Sequence, residues 1–280
     1  MADKGNAHSH PGDAAGGPQT ETADVLKRLA DKKKRGEPIV MLTAYDAPLA
    51  DIIEKTGVVD LVLVGDSLGM VVQGKSSTRD VTLDQMRYHT GMVCSAAHTT
   101  PVIADLPYHT FDSAEEALTN ARTLVKAGAW GVKFEGGNLE AAAAIVDAGI
   151  PLMAHLGLLP QTAKSFSVRG KDREEAEAII RDAEALEQTG VFSLVLESIP
   201  RALAQEITKR LTIPTIGIGA GPDCDGQVLV SYDMIGLTRG RVPKFVKKYA
   251  DTGSSIEEAV RSYAREVRER EFPSDAHSYH

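Results

Sequence analysis

Cysteine is nearly absent: Cys94 and Cys224 are the only two in 280 residues. Two thiols cannot build a disulfide framework or a zinc–thiolate site, and such sparing use fits a reducing cytoplasm. An excess of positive charge is also missing. Lys and Arg number 31 against 39 Asp and Glu, for a net charge of −8. No basic field draws in phosphate backbones or anionic lipid, so neither nucleic acid nor a membrane surface is an expected partner. No apolar run approaches the ~20 residues of a membrane-spanning helix. Residues 1–22 contain no large aliphatic side chain after Met1 and are rich in Gly, Pro and Ala. They cannot bury enough surface to offset ordering entropy, so a disordered tail is expected there. With no apolar stretch, that tail does not read as a secretory signal. No Gly-x-Gly-x-x-Gly follows the first candidate strand, no Walker A motif occurs, and no 20–50-residue period repeats.

What the chain does have is alternation. Short β-rich apolar runs alternate with helical patterns, which signals a parallel sheet. Eight strands are expected: Ile39–Thr43, Leu61–Val64, Val102–Ala104, Gly131–Phe134, Leu152–Ala154, Ser193–Leu196, Thr215–Ile218 and Met234–Leu237. Pro38, Pro101, Pro151 and Pro214 each precede one, where a missing N–H is tolerated. Helices are expected at Ala47–Thr56, Leu83–His98, Ser113–Ala127, Leu139–Ala148, Glu174–Thr189, Arg201–Arg210 and Ser255–Arg270. Thr82 reads as a cap, and Ser113-Ala-Glu-Glu116 as a capping box. Residues 23–280 are then one domain, close in size to the ~250 residues of a (β/α)8 TIM barrel. A doubly wound open sheet is the alternative.

The polar residues fall in a telling place. Read at the C-terminal ends of successive strands, the chain shows Asp66 and Ser67, then Asp105, then Lys133 and Glu135, then His155, then Glu197. Barrel enzymes build their active sites on that rim. Each residue alone has a plain structural reading. An aspartate after a strand often caps a turn, a lone histidine is often a satisfied core residue, Glu197 could cap the next helix, and Lys133 could pair with Glu135. Together they are harder to explain that way. Lys133 and Glu135 are two apart on a strand and so share a face, and buried charges need partners or a metal. Asp66, Asp105 and Glu135 offer oxygen ligands suited to Mg2+ or another hard divalent cation. Ser67 and Lys133 are placed to hold the carboxylate of a small acidic substrate. Glu197 stands apart as a candidate general base, with His155 nearby. The run Gly217-Ile-Gly-Ala-Gly221 is either an anion-binding loop or a plain tight turn.

At this point the motifs themselves become specific. Leu42-Thr-Ala-Tyr-Asp46, Leu63-Val-Gly-Asp-Ser-Leu-Gly-Met70, Val72-Gln-Gly74, Ala104-Asp-Leu-Pro107 and Val132-Lys-Phe-Glu-Gly-Gly137 occur in order. His155-Leu-Gly-Leu158, Pro160-Gln161, Leu194-Val-Leu-Glu197, Ile213–Gly221 and Asp225–Val230 follow, then Phe272-Pro273 and His277-Ser278. This series resembles the ketopantoate hydroxymethyltransferase family over residues 23–280. The resemblance implies a (β/α)8 barrel that transfers a hydroxymethyl group from 5,10-methylenetetrahydrofolate to 3-methyl-2-oxobutanoate, giving ketopantoate on the route to pantothenate and coenzyme A. It implies Mg2+ on Asp66, Asp105 and Glu135, directly or through water, with other divalent cations able to substitute. It places the substrate at Asp66, Ser67, Asp105, Lys133 and His155, and makes Glu197 the catalytic base. It also implies a homo-oligomer, often a decamer. One segment departs from the pattern. Where the family usually has Gly-Gly-aromatic-basic-Val-Gln-Gly, this chain reads Thr162–Gly170, about three residues shorter, in a rim loop of the kind that carries function. Leu159 also stands where Thr is common. The alternative function is a Mg2+-dependent lyase or mutase acting on phosphoenolpyruvate-like or 2-oxo acids. A non-enzymatic barrel is the remaining one.

Overall fold

A computed structural model describes residues 22–280 except 164, 239 and 241. The expected tail at residues 1–22 therefore lies, apart from Thr22, outside the described residues. In chain order the elements are α1 (Thr22–Arg35), β1 (Ile39–Thr43), α2 (Ala47–Thr56), β2 (Leu61–Val64), α3 (Leu68–Val71), α4 (Leu83–Cys94) and β3 (Val102–Asp105). Then come α5 (Ala114–Lys126), β4 (Gly131–Glu135), α6 (Leu139–Asp147), β5 (Leu152–Gly157), α7 (Arg173–Thr189), β6 (Ser193–Glu197) and α8 (Arg201–Arg210). The chain finishes with β7 (Thr215–Ile218), β8 (Gly226–Leu229), α9 (Ser231–Met234) and α10 (Thr252–Glu269).

The eight strands are parallel and close into a barrel in sequence order, with β8 pairing β1. This is the (β/α)8 fold the alternation implied, in a single domain. Odd and even strand positions divide as the period of two requires. Val132 and Phe134 join the outer core beneath the helices. Ile39, Met41, Leu61, Leu63, Ile103, Met153, Val195, Ile216 and Val228 fill the interior. Higher in the barrel, the inward positions change from aliphatic to ionisable.

The eighth strand is not where the sequence pattern put it. Met234–Leu237 is the end of α9 and a turn with Gly236 at φ +76°. The strand is Gly226–Leu229, which aligns Gly226 to Leu229 with Ile39 to Leu42. Neighbouring parallel strands usually need a crossover of a dozen or more residues. Here residues 219–225 suffice, with no helix between β7 and β8.

Helix α1 was not legible either, because Val25 and Leu29 are its only buried residues. Both pack into the interior cluster, so the helix closes the N-terminal mouth of the barrel. Burying two such aliphatic side chains contributes roughly 3–6 kcal/mol before ordering costs. Lys32 pairs with Asp60 at 2.5 Å and Lys33 with Asp225 at 2.7 Å, fixing its last turn.

Several local expectations hold. Thr82 and Gln85 form a reciprocal capping box on α4. Ser113 caps α5 through the Glu116 N–H, but its hydroxyl, not its backbone N–H, faces the Glu116 carboxylate. Helix α4 ends at Cys94, short of His98. The Thr99 and Thr100 N–H groups turn instead to the Glu54 carboxylate at 2.7 and 3.1 Å. Helix α10 starts at Thr252, three residues before the expected Ser255, and has no buried residue. Among the described residues no helix is long and apolar enough to cross a membrane.

Candidate active site

All seven side chains expected at the rim are there, and the strands run further than their apolar stretches suggested. Strand β3 reaches Asp105, β4 reaches Glu135, β5 reaches Gly157 and β6 reaches Glu197. Asp105, Lys133, Glu135, His155 and Glu197 are therefore strand residues, held by ladder hydrogen bonds. Inter-strand register sets Asp105 opposite Lys133, Glu135 opposite His155 and Gly157 opposite Glu197. Asp66 and Ser67 follow β2 directly.

The contacts exclude two of the plain structural readings. Lys133 does not pair with Glu135; its Nζ lies 2.9 Å from Asp105 Oδ1. The other Asp105 oxygen accepts the Asp66 N–H at 3.0 Å. Glu197 does not cap α8, whose N-cap is Pro200 without a side-chain bond. His155 Nδ1 stands 3.5 Å from Lys133 Nζ and 3.6 Å from Glu135 Oε1, while its Nε2 is 3.4 Å from Glu197 Oε2. An ammonium can only donate, so Nδ1 is the acceptor and the imidazole proton belongs on Nε2, facing Glu197. That Nε2 is buried and lacks an aligned hydrogen bond among the described residues. Loose contacts of this kind tighten when substrate binds.

Burial and neighbouring charges shift the groups of this cluster. Burial, then the Asp105 charge, pushes Asp66 up to about 7, against the pull of Lys133 and Gln161. Burial and the Asp66 charge raise Glu135 well above the carboxylate range. Burial acts to discharge Lys133, but Asp105, Glu135 and Asp66 outweigh it and keep the ammonium charged. Burial and Lys133 lower His155, so its imidazole is neutral. One buried cation therefore faces several carboxyl groups.

The donor set suits a divalent cation on that evidence. Asp105 Oδ1 is buried and makes no aligned hydrogen bond among the described residues, even though Lys133 is close. Among the described residues, no three His, Cys, Asp or Glu side chains close around one point tightly enough to form a ready-made metal cage. Mg2+ does not require one. It commonly takes one or two carboxylates and fills its remaining positions with water and substrate oxygens.

Sequence reasoning missed three contributors. Tyr45, fully buried at the end of β1, hydrogen-bonds the Ser67 hydroxyl at 2.8 Å. Gln161 donates from Nε2 to Asp66 Oδ2 at 2.8 Å and from its backbone N–H to Glu135 Oε2 at 3.0 Å. Ser198, directly after Glu197, has φ +48°. Tyr45 and Gln161 both lie within motifs quoted above, but no local pattern shows what they touch. The glycine run after β7 is a turn packed by its own chain. A side chain on Gly219 would run into the Phe245 ring. In the segment 162–171, Lys171 is exposed, and Lys164 lies outside the described residues.

Comparison with known proteins completes the picture. Solved structures with this fold include phosphonopyruvate hydrolase (TM-score 0.60, 12% identity, 91% of each chain covered). Another is 2,3-dimethylmalate lyase (TM-score 0.58, 15% identity, 90% of each chain). At such identities they show the fold alone. Sequence relatives are much nearer. The 3-methyl-2-oxobutanoate hydroxymethyltransferase of Thermoanaerobacter sp. (strain X514) is 49% identical over 254 residues, covering 88% of this chain and 92% of its own. The enzyme of that name from Caldicellulosiruptor bescii is 48% identical over 263 residues, covering 91% and 98%. Residues 24–275 match the family profile described as ketopantoate hydroxymethyltransferase. With that match, and with relatives of this identity along nearly its whole length, the chain belongs to the ketopantoate hydroxymethyltransferase family of enzymes.

Proposed function

We propose that this rim removes the C3 proton of 3-methyl-2-oxobutanoate with Glu197 and joins that carbon to the one-carbon unit of 5,10-methylenetetrahydrofolate. Water supplies the product hydroxyl, and tetrahydrofolate and ketopantoate leave. The observation that carries this reading is the buried Lys133–Asp105 pair standing beside Glu197 and His155 on adjoining strands. Lys133 holds the substrate carboxylate, with the Ser67 hydroxyl oriented by Tyr45. Asp66, Asp105 and Glu135 would hold the divalent cation, Mg2+ by their oxygen chemistry. When bound, the cation supplies Lewis-acid stabilisation of the negative charge that develops on the 2-oxo oxygen. Glu197 is the least buried of the rim carboxylates, so it meets substrate without displacing a structural partner. The neutral His155, 3.4 Å from Glu197 Oε2, orients the base. A positioned carboxylate base contributes about 10²–10⁴-fold. Holding both substrates in place adds an entropic advantage.

A phosphonopyruvate hydrolase of the same fold is a complex with oxalate and Mg++ (TM-score 0.59, 15% identity), a small organic acid and a divalent cation. A lyase relying on a rim cysteine finds no support. Cys94 ends α4, and Cys224 packs beside Thr208 and Thr215 at the opposite end of β7. Homo-oligomer formation is supported by α10. Ile256, Val260, Tyr263 and Val267 form an exposed apolar row suited to a second copy of the chain. Two free thiols are consistent with a cytoplasmic setting.

The test is deuterium exchange at C3 of 3-methyl-2-oxobutanoate in D2O, followed by NMR. Exchange should require Mg2+, stop with a chelator and fall at least about 100-fold in Glu197→Gln. Adding methylenetetrahydrofolate should then yield ketopantoate. Exchange that survives in Glu197→Gln would remove the base assignment.

A further inference from the structure

We propose that Gln161 is the positioning residue that locks Asp66 and Glu135 for divalent-cation binding, and that Arg79 holds Gln161 in place. This rests on the cation reading above.

Gln161 is 1% exposed and comes from the segment after β5, yet its partners lie at or just past the ends of three strands. Its Nε2 meets Asp66 Oδ2 at 2.8 Å and the Leu106 carbonyl at 3.0 Å. Both partners are acceptors, so the amide orientation is fixed by its surroundings. Its backbone N–H meets Glu135 Oε2 at 3.0 Å. One residue thus supplies N–H donors to the ends of β2, β3 and β4. Two of these bonds pin one oxygen of a carboxylate each, and the second oxygen of Glu135, Oε1 towards His155, is left without a hydrogen bond among the described residues. That is the arrangement a cation site needs, with the rotamer fixed and one oxygen available. Outer partners of this sort orient metal-binding carboxylates in general.

The amide also makes a poor stability device. Its Oε1 is buried and finds no partner among the described residues. An apolar side chain of the same size would leave no such acceptor stranded. A residue kept with an unmet hydrogen bond points to a role beyond packing.

Gln161 is itself gripped from outside. Thr162 and Ala163 both donate to the Leu159 carbonyl, forming a turn. Arg79, from the α3–α4 connection, donates from Nε to the Gln161 carbonyl at 2.8 Å and from Nη2 to the Ala163 carbonyl at 3.1 Å. Its guanidinium lies 5.9 Å from the Tyr108 ring, in the loop after β3. A relay of contacts therefore runs from an exposed arginine to two rim carboxylates.

The experiment is a Mn2+ titration followed by EPR, on the full chain with 3-methyl-2-oxobutanoate and no folate donor. Gln161→Met should weaken Mn2+ binding about 10–100-fold. The metal-free melting temperature should hold, and C3 exchange at saturating Mn2+ should change by less than the affinity does. Arg79→Met, at an exposed position, should weaken binding in the same direction by a smaller factor, and it carries the test if Gln161→Met does not fold. Unchanged affinity in the folded variants overturns the inference. Weakened affinity that merely follows a loss of metal-free stability also overturns it, as a structural role. Wild-type protein that takes up no Mn2+ defeats the cation reading and this inference with it; wild-type uptake matched by both variants defeats this inference alone.

Discussion

Lys133 Nζ stands 2.9 Å from Asp105 Oδ1, across a strand register that places these two residues side by side on β4 and β3. Both side chains are buried, and the pair is the rim's one close buried match of opposite charges among the described residues. Around it stand Asp66, Glu135 and Glu197. The ammonium therefore has two tasks under the proposed function: it is the cation that the buried carboxyl groups face in the free protein, and it receives the substrate carboxylate.

Lys133→Met tests the first task. Removing one member of a buried pair leaves the other charge uncompensated, at a cost of about 3–5 kcal/mol. The urea midpoint should drop accordingly, and the KM for 3-methyl-2-oxobutanoate should rise. Lys133→Arg should not rescue activity, because a planar guanidinium does not replace a compact ammonium in a closed site. An unchanged urea midpoint in Lys133→Met would show that the pair does not hold the rim together.

Gly157→Ala tests how tightly β5 and β6 meet. Gly157 has φ +99°, and an added Cβ would lie 2.3 Å from the Glu197 carbonyl oxygen. Backbone strain and a clash with main chain should together cost about 3 kcal/mol or more. Because the displaced residue is Glu197, C3 exchange should fall even in protein that remains folded. Exchange at the wild-type rate would show that the position of this strand does not set the base.

Glu54→Gln tests a joint remote from the site. Burial pushes the Glu54 carboxyl up, but hydrogen bonds from Thr100 and Thr99 overcome it and bring it down to about 2. A carboxyl lowered in the folded state stabilises above its unfolded value, and that stability is lost as pH falls towards the folded value. Much of the group faces solvent, so the contribution is discounted to about 1 kcal/mol. Glu54→Gln should thus melt lower than wild type at pH 7, with the gap closing as pH falls from about 4.5 to 2. A gap that stays constant with pH would mean the charge is not responsible.

Leu29→Ala tests the plug. Leu29 is 2% exposed, beneath the barrel interior. Truncation should cost about 2–5 kcal/mol through lost burial and a cavity. The C3 exchange rate should be unaffected at temperatures where the variant is folded, because the plug is at the mouth opposite the rim. A fall in exchange would reveal coupling through the barrel.

The sequence carried much of this protein in plain view. Two-residue alternation placed Lys133 and Glu135 on one face, and strand-end positions placed Asp66, Asp105, His155 and Glu197 on one rim. Thr82 announced its helix through hydrogen-bonding chemistry local to four residues. What failed had weak local signals. Strand β8 is four residues, two of them Gly226 and Gln227, so an apolar stretch further on outcompeted it. Helix α1 shows two buried residues in a run of charge, so its task as a plug is visible only once the barrel has a mouth to close.

The sequence by itself determined the alternation of strand and helix and the chemical types at the rim, because both depend on periodicity along the chain. Only the tertiary structure decided that Lys133 pairs with Asp105 and not Glu135, that Gln161 ties three strand ends together and that seven residues bridge β7 to β8. Those outcomes depend on register between strands and on where loops return, and residues 26 to 95 positions apart in the chain meet there.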